Sequence, residues 1–109
     1  MTEASYIEFI SNKINVKLTE TESELLFTKL TKLCYQNKIP LHIDFEPTEG
    51  LPYMCFLLEE RKLLGKEAAD GSMLLIKQLE SVSRGDLANL LRKYDHDVFN
   101  ITHETSRLR

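Results

Sequence analysis

Apolar residues recur at helical spacing along nearly the whole of this 109-residue chain. Tyr6, Ile7, Ile10 and Ile14 draw one stripe along a first helix. Thr19 or Thr21 then serves as the cap of a second helix, and Glu20 and Glu22 suit the positive end of its dipole. Leu26, Leu30 and Leu33 carry its stripe to about Tyr35, and Asn37 and Pro40 stop it. Residues 38–47 are the least regular. Leu41, Ile43 and Phe45 alternate with His42 and Asp44 at strand period, yet a single short strand has no partner to pair with. A loop or one short helical turn is the preferred reading there, with the strand as the alternative.

A fourth helix opens at Thr48-Glu49, with Pro52 in the first turn, where proline is tolerated. Met54, Cys55 and Leu58 form its buried stripe, Phe56 and Leu57 widen it, and the helix is expected to end near Gly65. The connector 65–71 precedes a fifth helix capped by Ser72 and carrying Leu75, Leu79 and Val82. Ser83 begins the last helix, and Ser83-Arg84-Gly85-Asp86 has the shape of a capping box. Leu87, Leu90, Leu91, Tyr94 and Val98 follow at helical spacing. The pattern predicts an all-α antiparallel bundle of five well-marked helices, with a sixth, third in order, that is short or irregular. Ile10, Leu30, Leu58, Leu75, Leu79, Leu87 and Leu91 are the expected core. The domain spans 1–101, and the polar, unpatterned 102–109 reads as a flexible tail or the start of a linker.

Composition changes this picture little. Apolar residues make up 42% and charged residues 28%, as in an ordinary globular domain. The formal net charge of −3 disfavours broad nucleic-acid binding, which relies on a basic surface. The N-terminal MTEASYIEFISNKI lacks the basic start and long apolar run of a secretory leader, and no apolar stretch nears the ~20 residues that span a bilayer. The expected location is the cytoplasm, with the nucleus as the other option, and no membrane partner is expected. Cys34 and Cys55 both sit in apolar stretches, outside any CxxC pair, and read as free core thiols of a reducing compartment.

Convergent catalytic groups do not emerge from the sequence. Asp95-His96-Asp97 could supply a metal ligand or two, but no second cluster stands at matching spacing, and a solvated helix end is the plainer reading. A glycine-rich phosphate loop, GxSxG and HExxH are all missing from the sequence. The chain is therefore expected not to be an enzyme and to use no cofactor, metal or small-molecule substrate. What stands out is the polar density where the last helix meets the core. Arg84 and Asp86 lie two apart, about 200° around an ideal helix, just before core Leu87. Their contact requires Arg84 to fold back across the turn, with an acid of a neighbouring helix holding it. The plainer reading is that Asp86 caps the helix and Arg84 is an ordinary surface residue.

Arg84-Gly85-Asp86-Leu87 resembles the RxDL signature of the death effector domain family, at the start of that family's sixth helix. Gly50-Leu51-Pro52-Tyr53-Met54-Cys55-Phe56-Leu57-Leu58-Glu59-Glu60 is similar to its fourth helix, Leu63 follows at the usual offset, and Ser72-Met73-Leu74-Leu75 resembles the start of its fifth. The resemblance covers about residues 5–98. It implies a six-helix bundle of death-fold type with a surface charge triad formed by Arg84, Asp86 and an acid of the second helix. That acid is Glu22 or Glu24, with Glu22 preferred as lying on the face away from Leu26 and Leu30. Two departures accompany it. The connector 65–71 is longer than usual, and Lys29, Thr31 and Lys32 stand where many members expose an apolar or aromatic contact residue.

The resemblance implies homotypic assembly of apoptotic or innate-immune signalling complexes, recruiting or regulating an initiator caspase, with other death-effector-type domains as partners. Lys13, Lys17, Lys29, Lys32 and Arg84 against Glu59, Glu60, Glu67 and Asp70 supply charges of opposite sign for such contacts, although ordinary solvated faces would also look like this. The alternative is a small all-α regulator, outside death-fold signalling, that binds a partner helix or a kinase in a groove.

Overall fold

A computed structural model describes residues 4–41 and 47–103, and every regular element among them is helical. The first helix is α only over Ala4–Phe9 (α1). It widens into a π-helical turn at Ile10–Ile14 and tightens into a 3₁₀ turn at Asn15–Lys17. The change of pitch keeps Tyr6, Ile10 and Ile14 all buried, as one stripe.

The second helix, α2 (Glu20–Gln36), is capped by Thr19. Thr19 Oγ1 accepts from the Glu22 amide at 3.2 Å, and Glu22 Oε1 accepts from the Thr19 amide at 2.9 Å, a complete capping box. Leu26, Leu30 and Cys34, four apart, form its buried ridge. It packs on α3 (Pro47–Glu60), where the Thr31 hydroxyl donates to Met54 Sδ at 3.5 Å. The other pair is α4 (Met73–Ser81) and α5 (Gly85–Tyr94), which turn back on each other. Counted against the sequence reading, α3, α4 and α5 are the fourth, fifth and last helices. The third falls in 38–47, of which residues 42–46 lie outside those described.

Three helices end in the same way, on a non-glycine residue in the left-handed region. These are Lys38 (φ 60), Lys62 (φ 63) and Ser83 (φ 65). At the end of α3, Leu63 N–H reaches the Leu58 carbonyl and Lys62 N–H that of Glu59, both at 3.0 Å, the paired bonds of a Schellman motif. This stops α3 at Glu60, five residues short of the expected Gly65, and with its start at Pro47 it moves Pro52 beyond the first turn. The residue following each left-handed position normally lays an apolar side chain over the helix end. Ile39 and Leu63 do so after α2 and α3. After α4 that position is Arg84.

The seven expected core residues are each at most 1% exposed. Two positions expected on buried stripes are exposed. Phe56 is 42% exposed, because the face of α3 that packs inward is Leu51, Met54, Cys55 and Leu58. Val98 is 43% exposed, because α5 runs into a second π-helical turn at Asp95–Phe99, which shifts the register beyond Asp95; Asp95 itself, four after Leu91, lies on the inward face. Tyr6 and Phe9 of α1 stack with Tyr94 and Phe99 at centroid distances of 4.4–5.7 Å, which pins this turn to the first helix. Among the described residues no helix is long and apolar enough to cross a membrane.

Candidate functional site

The α4–α5 junction is three residues, Val82 to Arg84, and it decides where the Arg84 side chain goes. The Ser83 and Arg84 amides bond back to the carbonyls of Glu80 and Leu79, while the Arg84 carbonyl already accepts the first bond of α5 from Ala88. Arg84 is thus the last residue of one helix cap and the first of the next. The expected capping box at Ser83 does not form. Ser83 is committed to ending α4, and no side chain caps α5. Arg84 itself has φ −111° and ψ 60°, outside the helix, so the 200° separation from Asp86 expected of two helical positions does not apply.

Freed from the helix, the guanidinium meets two acids at once. Its Nε and Nη2 donate to Asp86 Oδ1 at 3.0 Å and Oδ2 at 2.9 Å, a fork-on-fork pair. Its Nη1 donates to Glu22 Oε1 at 2.8 Å and to the Lys17 carbonyl at 2.9 Å. Glu22 Oε1 therefore serves twice, in the α2 capping box and in the ion pair, so one atom ties the starts of α2 and α5 together. The acid completing the cluster is Glu22; Glu24 is exposed and stands apart from it. The preference for Glu22 rested on the wrong face. Glu22 lies four before Leu26, on the side of the buried ridge, and reaches Arg84 because the start of α2 lies beside the α4–α5 junction.

Electrostatics follow from this geometry. Arg84 holds the Asp86 carboxyl down to about 2. The Glu22 carboxyl is also lowered, first by the Thr19 amide and then by Arg84. Arg84 is raised in turn by Asp86 and Glu22. The cluster is only partly covered, the Arg84 and Glu22 side chains being 19% and 22% exposed and that of Asp86 66%. Its ionic contribution to folding is accordingly small, ~0–1 kcal/mol for a surface pair. Directly beneath it Leu87 is buried.

The other charges singled out in the sequence lie elsewhere. Lys29 and Lys32 sit on α2 and Glu59 and Glu60 at the end of α3, and the partners of Arg84 do not include them. On α2, Leu25 and Tyr35 are exposed, so this helix does present apolar side chains to either side of its lysines. Cys34 and Cys55 are free and buried, and burial pushes the Cys55 thiol up to about 12. Both behave as core side chains.

The sequence reading missed a second polar cluster. Asp95, expected at a solvated helix end, is fully buried. Its carboxylate accepts from the Ser72 amide and hydroxyl, both at 2.7 Å, and lies 2.6 Å from His103 Nε2. The Ser72 hydroxyl also meets Tyr6 Oη at 2.7 Å, so it is spent inside the core and does not cap α4 as expected. His103, placed by the sequence in the loose tail, is packed against this site at 6% exposure; residues 104–109 lie outside those described. Gly71 is the accessible clue. It has φ +60°, and a Cβ there would lie 2.5 Å from Asp95 Oδ2. His96 and Asp97 point outward, and among the described residues no group of three potential ligands could hold a metal ion.

Comparison of the chain with models of protein families, with curated proteins and with solved structures finds no match.

Proposed function

We propose that this chain is an interaction module of death-effector type, which assembles apoptotic or innate-immune signalling complexes by binding other domains of its kind and so recruits or regulates an initiator caspase. In this reading α1 to α5 are the first, second, fourth, fifth and sixth helices of a death-fold bundle. The module acts by binding and not by catalysis. The observation that carries the reading is Arg84, joined at once to Asp86 and to Glu22. The RxDL resemblance calls for that triad, and a coincidental tetrapeptide would not call for the acid 62 residues away.

A surface triad orients charge more than it stabilises. Exposed ion pairs contribute ~0–1 kcal/mol to folding, whereas truncating a desolvated charge at an interface costs ~2–5 kcal/mol of binding. Arg84→Ala should therefore melt close to the wild type while self-association or capture of a death-effector partner falls tenfold or more. The two measurements are a thermal melt and sedimentation with pull-down on the same variant. Equal losses in both would make Arg84 merely structural, and no loss in either would leave the motif coincidental.

A further inference from the structure

Helix α1 and its extension separate two surface grooves of opposite sign. On one side, Phe9, Leu90, Tyr94 and Val98 form an apolar floor, with Lys13, Lys17 and Lys93 and a single acid, Asp97, along the rim. On the other side, Ile7 and the exposed ring of Phe56 form the floor. Its rim carries Glu8, Glu59, Glu60 and Glu67 and a single cation, Lys66. Lys93 is already engaged by Asp97 at 2.8 Å, but Lys13 and Lys17, like Glu8, Glu60 and Glu67, have no ion-pair partner among the described residues. Each groove therefore keeps unneutralised charge around exposed apolar surface. Such surface is what one expects of a contact that still has to be made.

We infer that the occupant of each groove is a second copy of this chain, the acidic Phe56 groove of one copy docking on the basic Val98 groove of the next. The chain itself supplies both halves: Lys13 and Lys17 face Glu8, Glu60 and Glu67, and each groove is lined by an exposed apolar side chain, Val98 or Phe56. The grooves are different surfaces, so the contact is heterologous, and a docked pair leaves one groove free at either end. Repeating it gives a closed ring or an open filament. Charge of this kind governs register and encounter rate and is weakened by salt. The inference rests on the reading of the chain as a self-associating module but uses none of the triad residues.

Two charge-neutralised variants test it by sedimentation velocity over a concentration series. Lys13→Gln with Lys17→Gln disarms the basic groove, and Glu60→Gln with Glu67→Gln the acidic one; all four side chains are exposed, and a thermal melt checks that each variant folds. The wild type should form species larger than a dimer that shrink as salt is raised. Each variant alone should associate at least tenfold more weakly. The two mixed should give a dimer and nothing larger, since one intact groove remains on each. A wild type that stays monomeric, variants that assemble like the wild type, or a mixture that stays monomeric would overturn the pairing. Groove variants that assemble normally while Arg84→Ala does not would remove this inference and leave the proposed function standing. The reverse pattern would keep the grooves and remove the triad.

Discussion

Replacing Asp95 by alanine should damage the fold far more than any change in the Arg84 triad. The Asp95 carboxylate is fully buried and accepts the Ser72 amide at 2.7 Å, the Ser72 hydroxyl at 2.7 Å and the His103 ring at 2.6 Å. The hydroxyl can fall back on Tyr6, which leaves the Ser72 amide and the His103 ring without acceptors. An orphaned buried polar group costs about 1–3 kcal/mol, so Asp95→Ala should cost about 2–6 kcal/mol out of a total stability of about 5–15. Gly71→Ala attacks the same site from the backbone side. It places a Cβ 2.5 Å from Asp95 Oδ2 and forces a side chain onto φ +60°. Removing the carboxylate relieves the contact with Asp95 but neither the 2.9 Å approach to Ile101 Cδ1 nor the dihedral, so the double variant should be less unstable than the sum of the two singles. Urea unfolding followed by far-ultraviolet circular dichroism measures all three. A loss below about 1 kcal/mol for Asp95→Ala, or strict additivity in the double variant, would refute the account of this site.

Two further outcomes follow from burial and charge. Leu87→Ala, beneath the triad at 1% exposure, should lose about 2–5 kcal/mol through lost contacts and a cavity, read as a lowered melting temperature; an unchanged melt would show that α5 does not dock through Leu87. The triad should also be acid-sensitive. Asp86 and Glu22 have folded values below those of the unfolded chain, ~3.9 and ~4.3, with Asp86 at about 2. Their contribution is therefore complete above the unfolded values and is lost as pH falls through the folded ones. The difference in melting temperature between wild type and Arg84→Ala should hold steady from neutral pH to about 5 and close on approaching 2; a gap that widens in acid would contradict the sign.

Where the sequence was legible, a period carried the information. Leu26, Leu30, Leu75, Leu79, Leu87 and Leu91 repeat at helical intervals and are all buried. Departures from the period were not legible. The π-helical turn at Asp95–Phe99 inserts a residue into the register, so a pattern extended through Tyr94 places Val98 inside, where it is not found; Asp95, four after Leu91, stays on the inward face, and its acidic side chain was taken for a solvated one. One helix end was also misplaced, that of α3, where Gly65 was taken as the stop. Lys38, Lys62 and Ser83 all adopt the left-handed conformation at helix ends, because the paired bonds back into each helix outweigh the steric cost at a residue with a Cβ. The triad was half legible. Arg84 and Asp86 are neighbours in the chain, but Glu22 depends on how α2 and α5 pack, which no local pattern encodes.

The three helix ends bear on why Arg84 is there at all. Ile39 and Leu63 occupy equivalent positions after α2 and α3, and each covers its helix end with apolar surface that folding buries. A leucine in place of Arg84 would do the same after α4. The chain instead holds a cation at the positive end of α5, where the helix dipole disfavours it. It must then gather Asp86, Glu22 and the Lys17 carbonyl around that charge. Burying a methylene gains ~0.8 kcal/mol, and a partly exposed ion pair gains ~0–1, so stability gives no reason to prefer the arginine. A guanidinium fixed by acceptors from α5, α2 and the turn before α2 has a defined direction, and so do the two carboxylates it holds. Fixed direction is of little use to a solvated charge and of much use to one that must meet a partner in a single register. Under the proposed function the position serves recognition, and the folding of the domain is left to the buried leucines.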